Sequence, residues 1–140
     1  MNNPVKSSSV PSRSFQTASD VFLEKARSLY LASLRHWDRG EYAEALEAAY
    51  QAALRLAGAR VESARKKKAR PTGAWERLKL LDEDGKARAV EFSQYSRIRA
   101  RVLNGIEENV SAHVVRNLID SVASFLDEVE GERGWLTPAA

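Results

Sequence analysis

The chain has 140 residues, 22 Lys and Arg against 19 Asp and Glu, and a formal net charge of +3. One domain of that length buries a real core without metal or disulfide help, and the absence of cysteine excludes disulfides and cysteine-ligated metals. With two histidines and only short apolar runs, neither a histidine zinc site nor a membrane span is expected.

Residues 1–16 are rich in Ser, Asn and Pro and lack periodicity, which predicts a disordered tail. They hold no apolar segment of a secretory leader, so a cytoplasmic location is expected. Thr17, Ser19 and Asp20 are candidate caps for a first helix reaching about Arg39. Phe22, Ala26, Leu29, Tyr30, Ser33 and Trp37 recur on one face of it. Gly40 stands at the usual left-handed end position. A second helix is expected from Glu41 to about Lys67, dense in alanine, with Gly58 tolerated through close packing or a kink. "WDRGEYAEALEAAYQAAL" (37–54) has the look of one tetratricopeptide unit, but no second copy follows about 34 residues on, so a repeat array is excluded.

"RKKKARPTG" reads as a loop, because Pro71 disfavours helix at Arg70. A short helix follows with Trp75, Leu78 and Leu81 or Leu80 inward, then a turn at "DEDG" (82–85). The next helix is expected over 86–104, with Val90, Phe92, Tyr95, Ile98, Val102 and Leu103 on its inner face. Asn104 and Gly105 end it. The last helix starts from Ser111 and closes at Gly131. Val115, Leu118, Ile119, Val122, Phe125, Leu126 and Val129 form a continuous seam of two heptads. Residues 132–140 are a tail whose Trp135 and Leu136 are candidates to fold back. The expectation is an all-α, antiparallel four-helix bundle with an additional short helix, spanning residues 17–131.

Three stretches carry a family resemblance: "YLASLRHWDRGEYAEALEAAYQAALRLAGARV" (30–61), "RPTGAWERL" (70–78) and "VSAHVVRNLIDSVASFLDEVEG" (110–131). Together they resemble the HEPN superfamily, in its small stand-alone SAV-like bacterial branch. The resemblance implies a four-helix bundle with an added short helix, frequent dimerisation and, in many members, metal-independent ribonuclease activity. That activity uses an arginine followed after four to six residues by a histidine. The histidine exchanges protons with the ribose hydroxyl or the leaving oxygen; the arginine stabilises the charged phosphate.

The chain departs from that pattern. In "RNLIDS" (116–121), Arg116 and Asn117 match the start of the motif, but Ser121 stands where the histidine belongs, and a hydroxyl does not titrate near neutral pH. His113 lies one turn before Arg116, in inverted order, which leaves His113, Arg116 and Asn117 as the candidates for an unorthodox site. His36 has no arginine at the required spacing.

From Gly58 to Arg70, six cations face only Glu62. Arg65, Lys66, Lys67, Lys68 and Arg70 are the candidate phosphate-binding residues, set against a plain solvated loop. Arg97, Arg99 and Arg101 splay around their helix as solvated charge. The acidic groups at 82–84 and 127–132 lack partner ligands, so no metal and no cofactor is expected. The leading expectation is a non-catalytic binding or interaction module, working as a homodimer. The alternatives are an RNA-cleaving enzyme at the His113 site and a small nucleic-acid-binding regulator.

Overall fold

The computed structural model describes residues 16–64 and 73–133. They form six helices and no strand: α1 (Ala18–Asp38), α2 (Tyr42–Ser63), α3 (Ala74–Lys79), α4 (Glu83–Ser93), α5 (Ser96–Leu103) and α6 (Ala112–Glu132). The expected N-terminal tail up to residue 15, the basic run 65–70 and the Trp135–Leu136 segment lie outside the described residues. No described helix is long and apolar enough to cross a membrane.

α1 begins with a capping box. The Thr17 hydroxyl accepts from the Asp20 amide and the Asp20 carboxylate accepts from the Thr17 amide, each at 3.1 Å. Ser19, a candidate cap, does something else: it is buried, and its hydroxyl donates to the Ala59 carbonyl at 2.8 Å, tying the start of α1 to the end of α2. At the other end Gly40 takes φ 75°, the left-handed conformation that glycine adopts without strain. Its amide donates to the Trp37 carbonyl and the Glu41 amide to that of His36, so the chain reverses directly into α2.

α2 is the axis of the molecule, packed against α1, α3, α5 and α6. Ala45, Ala48, Ala49, Ala52, Ala53, Ala57 and Ala59 are all buried on it, and such small side chains let neighbours approach from several directions. Close packing also accounts for Gly58. The Phe22 ring lies where its side chain would be, 3.2 Å from an added Cβ. α6 runs antiparallel to α1, and all seven residues of its seam are buried.

The region between α2 and α6 differs from expectation in several places. "DEDG" is not a free turn: the Asp82 side chain accepts from the Gly85 amide at 2.7 Å and caps α4, whose first turn contains that sequence. The helix expected over 86–104 is two helices, broken at Gln94–Tyr95. There Ser93, Gln94 and Ser96 donate from their side chains to the carbonyls of Val90, Glu91 and Ser93, offering the backbone an alternative to continued helix. The break rotates the inner face, leaving Val90 and Leu103 exposed while Phe92 is buried and Ile98 and Val102 are half-buried. Leu81 packs inward and Leu80 is exposed. α2 ends at Ser63 rather than Lys67, and α6 passes through Gly131 to Glu132. The broken rod α4–α5 is the fourth member of the bundle and α3 the short addition.

A row of aromatic side chains crosses the interior. The Trp75 indole N–H donates to the Tyr50 hydroxyl at 2.8 Å, Trp75 stacks on Phe92 at 5.7 Å, and Phe92 stacks on Phe125 at 5.4 Å. Arg99 lies over the Tyr50 ring and Arg88 over Phe125, at 5.0 and 5.2 Å. The row joins α2, α3, α4 and α6.

Candidate functional site

Ser111 caps α6 by accepting from the Val114 amide, and the helical period then sends Val115, Leu118 and Ile119 inward. His113, Arg116 and Asn117 therefore fall together on the exposed face of the first two turns. His113 Nε2 and Asn117 Nδ2 are 3.4 Å apart, a long contact. Arg116 is engaged elsewhere: Nη2 lies 2.9 Å and Nε 3.1 Å from Asp120 Oδ1, and its guanidinium sits 5.5 Å over the Trp37 ring at the end of α1. Trp37 in turn packs against Tyr42 at 5.0 Å. The three candidates are adjacent, but the arginine is neutralised by its own helix and laid on an aromatic surface. His36 is engaged elsewhere. Its Nδ1 is 2.7 Å from Glu41 Oε1, bracing the α1–α2 corner.

Arg65, Lys66, Lys67, Lys68 and Arg70 lie outside the described residues. The three arginines of α5 are not equivalent, contrary to a reading of uniform solvated charge. Arg99 donates from Nε and Nη2 to both oxygens of Glu47, at 2.7 and 2.9 Å, and these bonds hold the Glu47 carboxyl below its ordinary range. Arg101 lies 3.5 Å from Glu107, and Arg97 is exposed.

The acidic end of α6 pairs with arginines from three other helices. Glu128 pairs with Arg88 at 2.8 Å, Glu130 with Arg27 at 2.5 Å and Glu132 with Arg60 at 3.3 Å. Arg60 is 8% exposed and also donates to both oxygens of Asp82, at 2.7 and 3.3 Å. Hydrogen bonding from Arg60, then from the Gly85 amide, lowers the Asp82 pKa, whereas burial raises that of Glu132. Arg133 closes the end by pairing with Asp20 at 2.7 Å. Sequence reasoning missed this network. The available signal was Arg60 itself, which falls on the Ala53–Leu56 stripe, where a cation demands a carboxylate. No group of three or more metal-ligating side chains occurs among the described residues.

Residues 38–130 match the family model described as SAV_6107-like HEPN. No curated protein and no solved structure matches the chain.

Proposed function

Since this chain belongs to the SAV_6107-like HEPN family, we propose that it acts as a non-catalytic HEPN domain, a binding or interaction module that works as a homodimer. The disposition of Arg116 carries the non-catalytic part of this reading. A HEPN-type ribonuclease pairs such an arginine with a histidine further along the helix. Here the positions that spacing would use hold Ser121, Val122 and Ala123, and Val122 is buried in the seam. Arg116 is itself committed to Asp120 and Trp37. Its positive charge is therefore partly neutralised before any phosphate arrives, and no histidine stands at the required spacing on its C-terminal side.

Exposed Leu31, Leu103 and Ile106 offer apolar surface for association, consistent with an interaction role. The test joins both parts. A labelled single-stranded RNA incubated with micromolar protein stays intact, and light scattering on the same sample gives twice the 15.6 kDa chain mass. Cleavage that disappears in His113→Ala would refute the non-catalytic reading, and a monomer mass at that concentration would refute the dimer.

A further inference from the structure

Among the described helices, α5 alone has no buried residue. It is bounded by the break at Gln94–Tyr95 and by Gly105, which takes φ 74°. Ile98 and Val102 reach the core only in part. Between α5 and the first turns of α2 there is no tight packing but a cleft of about 200 Å³, lined chiefly by Ala43, Leu46, Val102 and Leu103. Leu46 forms its floor and is 1% exposed. The polar attachment of α5 to α2 is Arg99, through its two bonds to Glu47 and its position over Tyr50. The Arg101–Glu107 pair and the bond from the Ile106 amide to the Arg101 carbonyl join the end of α5 to the residues just past Gly105, and neither reaches α2.

We infer that α5 is a latched strap: it lifts from α2 about Tyr95 and Gly105 while the rest of the bundle stays folded, and so uncovers Leu46 and Ala43. The physical basis is the contrast in anchorage. α2 and α6 open only when the core does, because their inner faces are fully buried. α5 is held by half-buried apolar contacts and a partly exposed ion pair, which are the marks of a segment with low local stability. Its eight residues are also too few for an independent helix, so its order depends on its contacts with α2 and weakens once the latch is broken. The strap thereby gives the domain an apolar surface that is covered or uncovered without unfolding.

The chain has no cysteine, so a single introduced thiol is a unique probe. Leu46→Cys and, from the strap side, the half-buried Val102→Cys report on the cleft; Leu118→Cys, as buried as position 46 but in the α6 seam, reports on global opening. Without denaturant, a thiol reagent labels position 46 at least roughly tenfold faster than the equally buried position 118. Adding Glu47→Gln, which leaves the fold intact, speeds the cleft positions by about threefold to fivefold and leaves position 118 unchanged. Equal labelling of positions 46 and 118 would show that Leu46 is reached only by global unfolding. Acceleration of all three sites, or of none, by Glu47→Gln would show that Arg99–Glu47 is not the latch. Either result overturns the inference.

Discussion

Phe125→Ala removes the α6 end of the aromatic row. Phe125 is fully buried, stacked on Phe92 with 25° between the rings, and covered by the Arg88 guanidinium. Truncating a buried phenylalanine costs about 3–5 kcal/mol, from lost transfer energy and from the cavity that neighbours fill only in part. The lost stacking, worth about 0.5–1.5 kcal/mol, places this site toward the upper half of that range. Arg88 keeps Glu128, Glu91 and Ser124 as partners, so no buried charge is orphaned. A loss of about 4 kcal/mol is a large share of the roughly 5–15 kcal/mol that holds such a domain together, and corresponds to about 15 °C in melting temperature. Urea unfolding followed by far-UV circular dichroism should show the midpoint falling by about 2 M with little change in slope. Wild type and variant are compared at one protein concentration, because the stability of the proposed dimer would depend on it. Phe125→Leu retains most of the volume and should cost about 1–1.5 kcal/mol. A loss below about 1 kcal/mol for the alanine variant, or equal losses for the two variants, would refute the packing described here.

Arg60→Met should cost about 1–3 kcal/mol, since it strips Asp82 and Glu132 of a buried partner while leaving both carboxylates reachable by water. Asp82 has a depressed pKa in the folded chain, so it contributes stability above its unfolded value near 3.9, and this is lost as pH falls through the folded value. Burial raises Glu132, which acts in the opposite sense: its contribution is present below the unfolded value and is given up as pH rises through the raised folded one. Acid titrations of stability should therefore show a shallower acid limb in Arg60→Met, and an unchanged limb would refute the assignment. Gly85→Ala would bring its Cβ to 2.3 Å from the Leu78 carbonyl oxygen and should destabilise by about 2 kcal/mol or more. Gly131→Ala meets open space inside a helix and should stabilise by up to about 1 kcal/mol; thermal melts of the pair check both signs. The solvated reading of the 65–70 run predicts no binding of single-stranded RNA or duplex DNA by fluorescence anisotropy at about 0.15 M salt, and no change when Lys66, Lys67 and Lys68 become alanine. Submicromolar binding by the native chain would overturn it.

The long helices were legible because their periodicity is uninterrupted. The α6 seam and the α1 stripe needed only a 3.6-residue period, and Gly40 marks the corner between α1 and α2 by its left-handed conformation. The α4–α5 rod was not legible. Its apolar residues do not keep one face, and the break depends on Ser93, Gln94 and Ser96 side chains competing for carbonyls, which composition alone does not reveal. "DEDG" misled for a related reason, since Asp before a glycine serves equally as a turn former and as a helix cap. At the candidate site, the grouping of His113, Arg116 and Asn117 follows from spacing on one helix. The capture of Arg116 by Trp37 is a contact between the two ends of the fold, more than seventy residues apart in sequence, and no local pattern encodes it.

Arg60 and Asp82 stand on opposite sides of residues 65–72, and their ion pair fastens α2 to the cap of α4 whatever runs between. α3 adds to this join through Trp75, which bonds to Tyr50 of α2 and stacks on Phe92 of α4. Lengthening a connector is cheap once its ends are fixed, about 0.6 kcal/mol for each doubling. The stretch between Ala64 and Gly73 is accordingly the natural place to splice in an epitope, a fluorophore tag or a whole guest domain. An insertion of equal length at the Arg39–Glu41 corner would meet a reversal that Gly40 and two backbone hydrogen bonds define residue by residue.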